Sequence, residues 1–312
     1  MPQPTRPKPP AASRRGASGP GPAGSEPTTP TTSILGAHVS AAGGLWLAFD
    51  RAAEIGCETF QIFTKNKGAW AAKPLDDETI EAFRQRARDS NVKSVVTHAS
   101  YLLNLASPDA DLRAKSVEAL RVELERCELL GIPYLVLHPG SHKDTSESAG
   151  LRRVTGSLNK ALRQTDGYRV RVLLENSAGQ GSSVCRTFES LGRLLETSRQ
   201  PDRLGVCLDT CHLFAAGYDL RSKEGYAETF AELEEHFDLD AILCFHVNDS
   251  KTDLGSRVDR HEHIGRGKLG LEPFRLLLND RRFRRVPMIF ELPPEDDMLR
   301  VNLKALRKLV RA

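Results

Sequence analysis

The sequence lacks the marks of a membrane, secreted or disulfide-bonded protein. No apolar run approaches the ~18 residues of a membrane-spanning helix, and the start has no apolar secretory segment. None of the six cysteines forms a Cys-x-x-Cys pair, and three (Cys207, Cys211 and Cys244) lie in or beside apolar runs. Cys207 and Cys211 could in principle bind zinc, but this context favours small buried thiols. We therefore expect reduced cysteines, a cytoplasmic location and no membrane partner.

The sequence also lacks a strong excess of charge. It has 44 Lys and Arg against 41 Asp and Glu, and residues 1–32 hold four of the basic residues but only one acidic residue, Glu26. Residues 33–312 therefore carry 40 charges of each sign. Bulk charge gives no argument for a nucleic-acid partner, so such an argument must come from local sites.

Large apolar side chains are nearly absent from residues 1–32, which are rich in Pro, Ser, Thr, Ala and Gly. Such a segment cannot bury enough surface to offset its ordering entropy. We predict a disordered tail over residues 1–32 and one catalytic domain over residues 33–312, a length that suits a single α/β barrel. Nothing in the sequence demands a partner chain, so we expect a monomer.

No Asn-Gly turn joins any of the apolar runs of this domain. Eight short runs alternate with segments of helical periodicity, of which Asp111–Gly131 is the clearest. The predicted strands are Ile34–Val39, Thr59–Phe63, Lys93–Thr97, Tyr134–Leu137, Val170–Leu174, Leu204–Leu208, Ile242–Phe245 and Pro287–Phe290. This alternation indicates parallel strands covered by helices. It favours a closed (β/α)8 TIM barrel over an open doubly wound sheet, which would place functional residues at only one switch point.

Side chains that can bind metal follow six of these strands directly. They are His98, His138, Glu175, Asp209, His246 and Glu291. His212 comes one turn after Asp209, and Asp259 and His261 are alternate residues of an extended loop, which points them the same way. Because the carboxyl ends of barrel strands meet on one face, we expect all nine side chains to converge there.

Any one of these nine residues could be an ordinary structural histidine or an ion-pair partner. Nine together would carry a large desolvation cost unless metal ions neutralised them. Imidazole and carboxylate ligands without thiolate pairs suit catalytic zinc, with manganese or iron as substitutes. Nine ligands fit two or three ions. Three divalent ions against four carboxylates would leave a positive pocket, which favours a phosphate ester over a neutral sugar.

These residues lie in stretches that resemble the endonuclease IV family, zinc-dependent enzymes that cut DNA at abasic sites. The stretches follow the family's order along the chain. They are Gly36–Gly44, Thr97–Leu105, Leu137–His142, Leu173–Asn176, Asp209–Asp219, Phe245–Lys251, Asp259–His261 and Glu291–Pro293. The resemblance therefore covers the sequence from Ile34 to about Pro294, and the combination is highly specific.

The resemblance implies three zinc ions. One would be held by His98, His138 and Glu175. A second would be held by Glu175, Asp209, His246 and Glu291. The third would be held by His212, Asp259 and His261. Glu175 would be the catalytic residue, bridging two ions beside the attacking hydroxide. The implied reaction cuts double-stranded DNA 5′ to an abasic site, leaving a 3′-hydroxyl and a 5′-deoxyribose phosphate, and the family also trims blocked 3′ ends.

The resemblance also implies side chains that enter the DNA stack at the lesion. Tyr101 and Leu102 match two of them, and a second inserting loop corresponds to residues 65–70, where many members have an Arg in place of Gly68. Basic residues near these loops are expected to contact phosphates, although a solvated surface role is the alternative for each. They are Lys65, Lys67, Arg260, Arg266 and Lys268.

Two other functions fit part of the sequence. A sugar isomerase or epimerase on a related metal barrel would need only one or two ions, so metal stoichiometry separates it from the nuclease. A DNA-damage binding protein with structural metals would fit the ligands less well, because structural zinc is usually closed by thiolates. Turnover on a duplex with one abasic analogue would distinguish that protein from an enzyme.

Overall fold

The computed structural model describes residues 33–292 and 297–311. The predicted disordered tail, residues 1–32, lies outside the described residues, as does Pro293. In chain order the elements are β1 Ile34–His38, α1 Leu47–Ile55, β2 Thr59–Ile62, α2 Asp77–Asp89, β3 Ser94–His98, α3 Ala110–Leu130, β4 Tyr134–Leu137, α4 Glu147–Gln164, β5 Arg171–Glu175, α5 Phe188–Thr197, β6 Leu204–Asp209, α6 Thr210–Ala216, α7 Lys223–Glu234, β7 Ile242–His246, β8 Asp249–Ser250, β9 His261–Glu262, α8 Glu272–Leu278, β10 Pro287–Phe290 and α9 Met298–Arg307.

Eight parallel strands close into a barrel in the order β1-β10-β7-β6-β5-β4-β3-β2. Each barrel strand pairs with the barrel strands before and after it in the sequence, and β10 closes the ring by pairing with β1 from Ile34 opposite Pro287 to Ala37 opposite Phe290. The predicted (β/α)8 barrel is therefore confirmed. Among the described residues, no helix is both long and apolar enough to cross a membrane.

Strand ends differ slightly from the prediction, in a way that matters for the site. Strands β3, β5, β6 and β7 each continue through the residue that was expected to follow them, so that His98, Glu175, Asp209 and His246 are the last residues of hydrogen-bonded strands. A ligand on a strand is held more rigidly than one on a loop. The small antiparallel pair β8–β9 was not predicted, and it fixes the loop that carries Asp259 and His261.

The helices begin where short polar side chains cap them. Asp76, Ser146, Thr187 and Ser222 each accept a hydrogen bond from the backbone N–H three residues later, at the starts of α2, α4, α5 and α7. Such a cap stabilises a helix by about 1 kcal/mol. The apolar stripes of these helices pack on the outside of the barrel, which explains their three- and four-residue spacing.

The barrel interior below the site is filled by a compact apolar layer. It consists of Val96, Val136, Leu173, Cys207, Cys244 and Ile289, one residue from each of six strands. Packing is tight between β1 and β2, because a Cβ added at Gly36 would lie 1.6 Å from the Thr59 carbonyl oxygen. The site therefore rests on a filled, rigid floor.

Candidate metal centre

The nine predicted metal ligands gather at one mouth of the barrel. Six come from the carboxyl ends of strands, as the alternation of runs predicts. Asp209 both ends β6 and caps α6, and its Oδ1 accepts a hydrogen bond from the His212 backbone N–H at 2.9 Å. This cap turns the chain so that the His212 ring faces the same mouth. The loop closed by β8 and β9 brings in the remaining two residues.

The first group of ligand atoms surrounds one oxygen of Glu175. His98 Nε2 lies 3.2 Å from Glu175 Oε2, and His138 Nε2 lies 3.3 Å from the same oxygen. His98 is buried, and its other ring nitrogen, Nδ1, is 2.6 Å from the Ala99 carbonyl oxygen. That contact requires a proton on Nδ1, because a carbonyl oxygen can only accept. The Nε2 lone pair of His98 is therefore directed at the cluster.

The second group is formed by Glu175, Asp209, His246 and Glu291. His246 Nδ1 lies 2.8 Å from Glu175 Oε1 and 3.1 Å from Glu291 Oε2. Glu175 thus contributes one oxygen to each of the first two groups. A buried carboxylate shared in this way is suited to bridging two cations.

The third group is formed by His212, Asp259 and His261 at the outer side of the mouth. His212 Nε2 lies 3.2 Å from Asp259 Oδ2, and His261 Nε2 lies 3.4 Å from Asp259 Oδ1. The Nδ1 atoms of the two rings contact the backbone carbonyl oxygens of Asn176 and Glu291, at 3.0 and 2.9 Å. Both rings therefore turn Nε2 toward Asp259.

The imidazoles and carboxylates shift one another's pKa values. Burial alone would raise the pKa of Glu175, but His138 and His246 outweigh it and hold the pKa well below its ordinary value. Burial lowers the pKa of His212, yet Asp209 and Asp259 raise it to about 10. The pKa of Asp259 is lowered to about 2, because its bond with His212 outweighs burial. Glu175 and Asp259 are thus ionised at neutral pH, as cation binding requires, whereas a cation bound at His212 would have to displace its proton.

The three groups fit divalent cations. Within each group the candidate ligand atoms lie within 4.8 Å of one another. His261 Nε2 is buried and has no hydrogen-bond partner among the described residues, an expensive arrangement unless the atom binds something else. The donor set of imidazole nitrogens and carboxylate oxygens suits zinc, manganese or iron.

The thiols near these groups are better explained as neutral packing groups. Cys207 and Cys244 lie close to His246, and Cys211 lies close to Asp209 and His261. Burial is the main cause that raises the pKa of Cys207 and of Cys211. A thiol kept protonated is a poor metal ligand, and the three groups have three or four ligands each without any sulfur.

Four polar side chains that the sequence analysis did not assign hold the ligands in place. Asn248 Nδ2 donates to Asp209 Oδ2 at 2.6 Å, and its Oδ1 accepts from the Glu291 backbone N–H at 2.8 Å. Asn176 Oδ1 accepts from the Asp209 backbone N–H at 2.7 Å. Gln61 and His38 contact Glu291 from β2 and β1. Asn176 and Asn248 could have been found by their positions, one and two residues after a ligand.

The predicted DNA-contacting residues lie in different environments. Tyr101 is 55% exposed at the mouth, with its ring 5.3 Å from that of His98. Leu102 lines the same side of the mouth. Lys67 Nζ lies 5.7 Å from the ring centres of both Phe63 and Tyr101. Arg260 lines a cleft of about 1100 Å³ that runs from His261 and Glu291 toward α1 and α9.

Lys65, by contrast, points inward. Its side chain is 3% exposed, and its ammonium lies 3.4 Å from Glu123 Oε1 on α3 and 2.6 Å from the Ala69 carbonyl oxygen. The expected phosphate contact of Lys65 does not suit this placement, because the ammonium is already paired and shielded from solvent. Lys65 instead ties the loop after β2 to helix α3. Gly68 lies in that loop and is exposed.

Comparisons with known proteins show which family this chain resembles. A family profile described as a xylose isomerase-like TIM barrel matches residues 49–309. The chain is 50% identical over 279 residues to a probable endonuclease 4 of Chloroflexus aurantiacus, an alignment that covers 89% of this chain and 98% of that protein. It is 46% identical over 279 residues to a probable endonuclease 4 of Geobacter sulfurreducens, covering 89% of this chain and 94% of that protein.

Two solved structures are similar to this chain in fold. The crystal structure of endonuclease IV from Thermus thermophilus matches with a TM-score of 0.80 and 37% identity over 88% of this chain and 98% of that one. A D-tagatose 3-epimerase-like protein matches with a TM-score of 0.65 at 22% identity, over 89% of this chain and 98% of that chain. At that identity the second likeness concerns the fold alone.

Proposed function

The chain belongs to the endonuclease IV family, and from this premise we propose that it is a DNA repair endonuclease that cuts the phosphodiester bond 5′ to abasic sites. The observation that carries the proposal is the convergence of nine imidazole and carboxylate side chains in three adjoining groups at one barrel mouth. We further propose trimming of blocked 3′ ends, because the phosphate ester at such an end would meet the same groups of ligands at the barrel mouth.

The metal content follows from the same groups. We propose three zinc ions, held by the first, second and third groups of ligands described above. When bound, the ions would supply positive charge for the phosphate oxygens and a water acidic enough to ionise at neutral pH. With four carboxylates among the ligands, three divalent ions leave the pocket positive, which suits a phosphodiester substrate better than a neutral sugar.

The residues of the chain have separate roles in this proposal. Glu175 would hold two ions at once, because its two oxygens face different groups. Tyr101 and Leu102 stand at the mouth, where they are suited to filling the gap that a missing base leaves in the duplex. Extruding a nucleotide costs least where a base is already missing, which favours the lesion over intact DNA. Lys67 and Arg260 are exposed enough at the rim to bind the DNA backbone.

The experiment that tests this function is a nicking assay on a duplex with one abasic analogue, with metal analysis of the same protein sample. We expect a single cut 5′ to the lesion, a 3′-hydroxyl end that a polymerase can extend, and about three zinc ions per chain. An undamaged duplex of the same sequence is the control. Absence of cutting by protein that holds its metal would refute the proposal. One or two ions together with isomerase activity on a sugar would favour the epimerase-like alternative.

A further inference from the structure

Gln61 is a neutral side chain buried among the proposed metal ligands. It lies on β2 between Phe60 and Ile62, and it is completely inaccessible to solvent. Its amide contacts side chains from three other strands or strand ends. Gln61 Oε1 lies 2.9 Å from His246 Nε2, and Gln61 Nε2 contacts both Glu291 Oε1 and, at 3.1 Å, His38 Nδ1. Both N–H groups and the carbonyl oxygen of the amide therefore have partners within the site.

The chemistry of these partners fixes which way the amide points. An ionised carboxylate can only accept hydrogen bonds, so Glu291 requires the amide NH2 on its side. The opposite orientation would place the carbonyl oxygen of Gln61 against a carboxylate oxygen. With the NH2 toward Glu291, its second N–H reaches His38 Nδ1, and the carbonyl oxygen faces His246.

This orientation determines which ring nitrogen of His246 carries the proton when the ring is neutral. The carbonyl oxygen of Gln61 can only accept, so His246 must carry a proton on Nε2 to make the 2.9 Å bond. When the ring is neutral, its Nδ1 then bears the lone pair. That atom lies 2.8 Å from Glu175 Oε1 and 3.1 Å from Glu291 Oε2, in the middle of the second ligand group. Gln61 thus selects the ring nitrogen that faces the cation.

We propose that Gln61 is a positioning residue for the second metal-binding group. It sets the tautomer and ring orientation of His246, and it directs one oxygen of Glu291 while leaving the other for the cation. His38 supports it by accepting a hydrogen bond from the remaining amide N–H. The inference rests on the metal centre of the proposed function, but it predicts affinity for metal rather than cutting. Partners of this kind, one shell outside a metal, typically change metal affinity by about 10- to 100-fold.

Gln61→Met tests the proposal, because methionine keeps the length of the side chain and removes all three hydrogen bonds. Thr59→Val is the matched control. Thr59 lies on the same strand and the same face, is equally buried, and bonds to the Ser94 carbonyl oxygen rather than to a ligand. Zinc affinity would be measured by competition with a chromophoric chelator. We expect one ion of the Gln61→Met protein to bind about 10- to 100-fold more weakly, and the Thr59→Val protein to match the unaltered chain.

A second measurement separates positioning from general damage to the fold. Nicking by Gln61→Met at low free zinc should fall, and excess zinc should restore it, whereas misfolded protein would not recover. Gln61→Ala, in which water can fill the space, serves if Gln61→Met does not fold. Unchanged affinity for every ion in either folded variant would overturn the proposal, as would equal weakening by Thr59→Val or an unaltered chain that binds no zinc. A chain that binds zinc but cuts no abasic DNA would refute the proposed function and leave this result standing.

Discussion

Glu175 is the single residue on which the proposed chemistry depends most. It is completely buried, yet it is held ionised by histidines from three other strands or strand ends. A buried carboxylate is costly unless it is paired, so its environment would be hard to explain without a charged function. Histidines of the first group contact Glu175 Oε2, and His246 of the second group contacts Glu175 Oε1, so this side chain lies between the two groups.

Glu175→Gln should reduce nicking of abasic duplex by about 10³-fold or more, because an amide cannot supply two anionic oxygens to two cations. The side chain keeps its size, so the circular dichroism spectrum and a cooperative unfolding transition should be retained. The measurement is the single-turnover cutting rate at saturating protein. Glu262→Gln is the control, since Glu262 lies next to His261 in sequence but bonds to the His263 backbone N–H, away from the three groups. Cutting by Glu175→Gln at the unaltered rate would remove Glu175 from its assigned role.

At the residue scale, the sequence was enough to predict the candidate metal ligands, but not the side chains that orient those ligands. The nine candidate ligands could be predicted because six directly follow apolar runs and the others follow from simple periodicity. Gln61 could not be assigned in this way, because its function depends on which strands are neighbours across the barrel. The only signal was a polar residue inside an apolar strand at Gln61, and that pattern alone has many explanations.

At the scale of elements, the strand-to-loop junctions carry the site and helix α3 supports two of its loops. Glu123 of α3 accepts from the Ser100 backbone N–H at 3.0 Å and pairs with Lys65 in the loop after β2. Ser100 Oγ in turn donates to the Lys67 carbonyl oxygen at 2.5 Å. The exposed Tyr101 and Lys67 therefore stand on a buried framework of hydrogen bonds.

Lys65→Met should destabilise the protein by about 3 kcal/mol at pH 8, because it leaves the Glu123 carboxylate buried without its partner. Burial raises the pKa of Glu123 above its ordinary value of 4.5, although the Ser100 N–H and Lys65 oppose it. Protonation stabilises such a carboxyl in the folded state. The penalty should therefore shrink as the pH falls toward the raised pKa and grow as the pH rises through it. Urea unfolding at several pH values measures both effects.

The double variant Lys65→Met, Glu123→Gln is the control for this pair, since it removes both charges, keeps an acceptor for the Ser100 backbone N–H, and should recover most of the lost stability. If Lys65 contacted DNA phosphates instead, Lys65→Met would leave stability unchanged and lower the salt dependence of DNA binding. The sequence could not distinguish the two roles. A lysine near a loop has the same sequence context whether it points to solvent or inward, and only the position of α3 decides.

The elements themselves could largely be predicted, and the exception is instructive. Eight strands were placed to within one or two residues, because buried parallel strands are short continuous apolar runs. The pair β8–β9 was missed because each strand has only two residues, too few for an alternating pattern, and residues 251–260 separate the two strands. It is fixed by Asp249, whose carboxylate accepts backbone N–H bonds from Gly265, Gly267 and Leu269. Such a long-range hub leaves no periodicity in the sequence.

At the scale of the whole molecule, the first two groups of candidate ligands join strands around most of the circumference of the barrel. The first group links β3, β4 and β5, and the second links β5, β6, β7 and the end of β10. Without cations, the carboxylates and imidazoles there would depend on one another alone. Bound metal should therefore stabilise the closure of the entire barrel and not only the site.

Removing the metal should lower the unfolding temperature and the free energy of unfolding, because the ions bind the folded chain and not the unfolded one. At free zinc about 1000-fold above the dissociation constant, each site contributes about 4 kcal/mol. Differential scanning calorimetry before and after prolonged treatment with phenanthroline and EDTA would show the change, and added zinc should reverse it. Metal affinity should also fall as the pH drops, because protons compete for the ligating imidazoles. The unfolding temperature of the Glu175→Gln protein should fall less on chelation, since this protein begins with fewer bound ions. An unchanged unfolding temperature in protein shown by analysis to be free of metal would mean that the nine side chains hold the barrel together by hydrogen bonds and ion pairs alone.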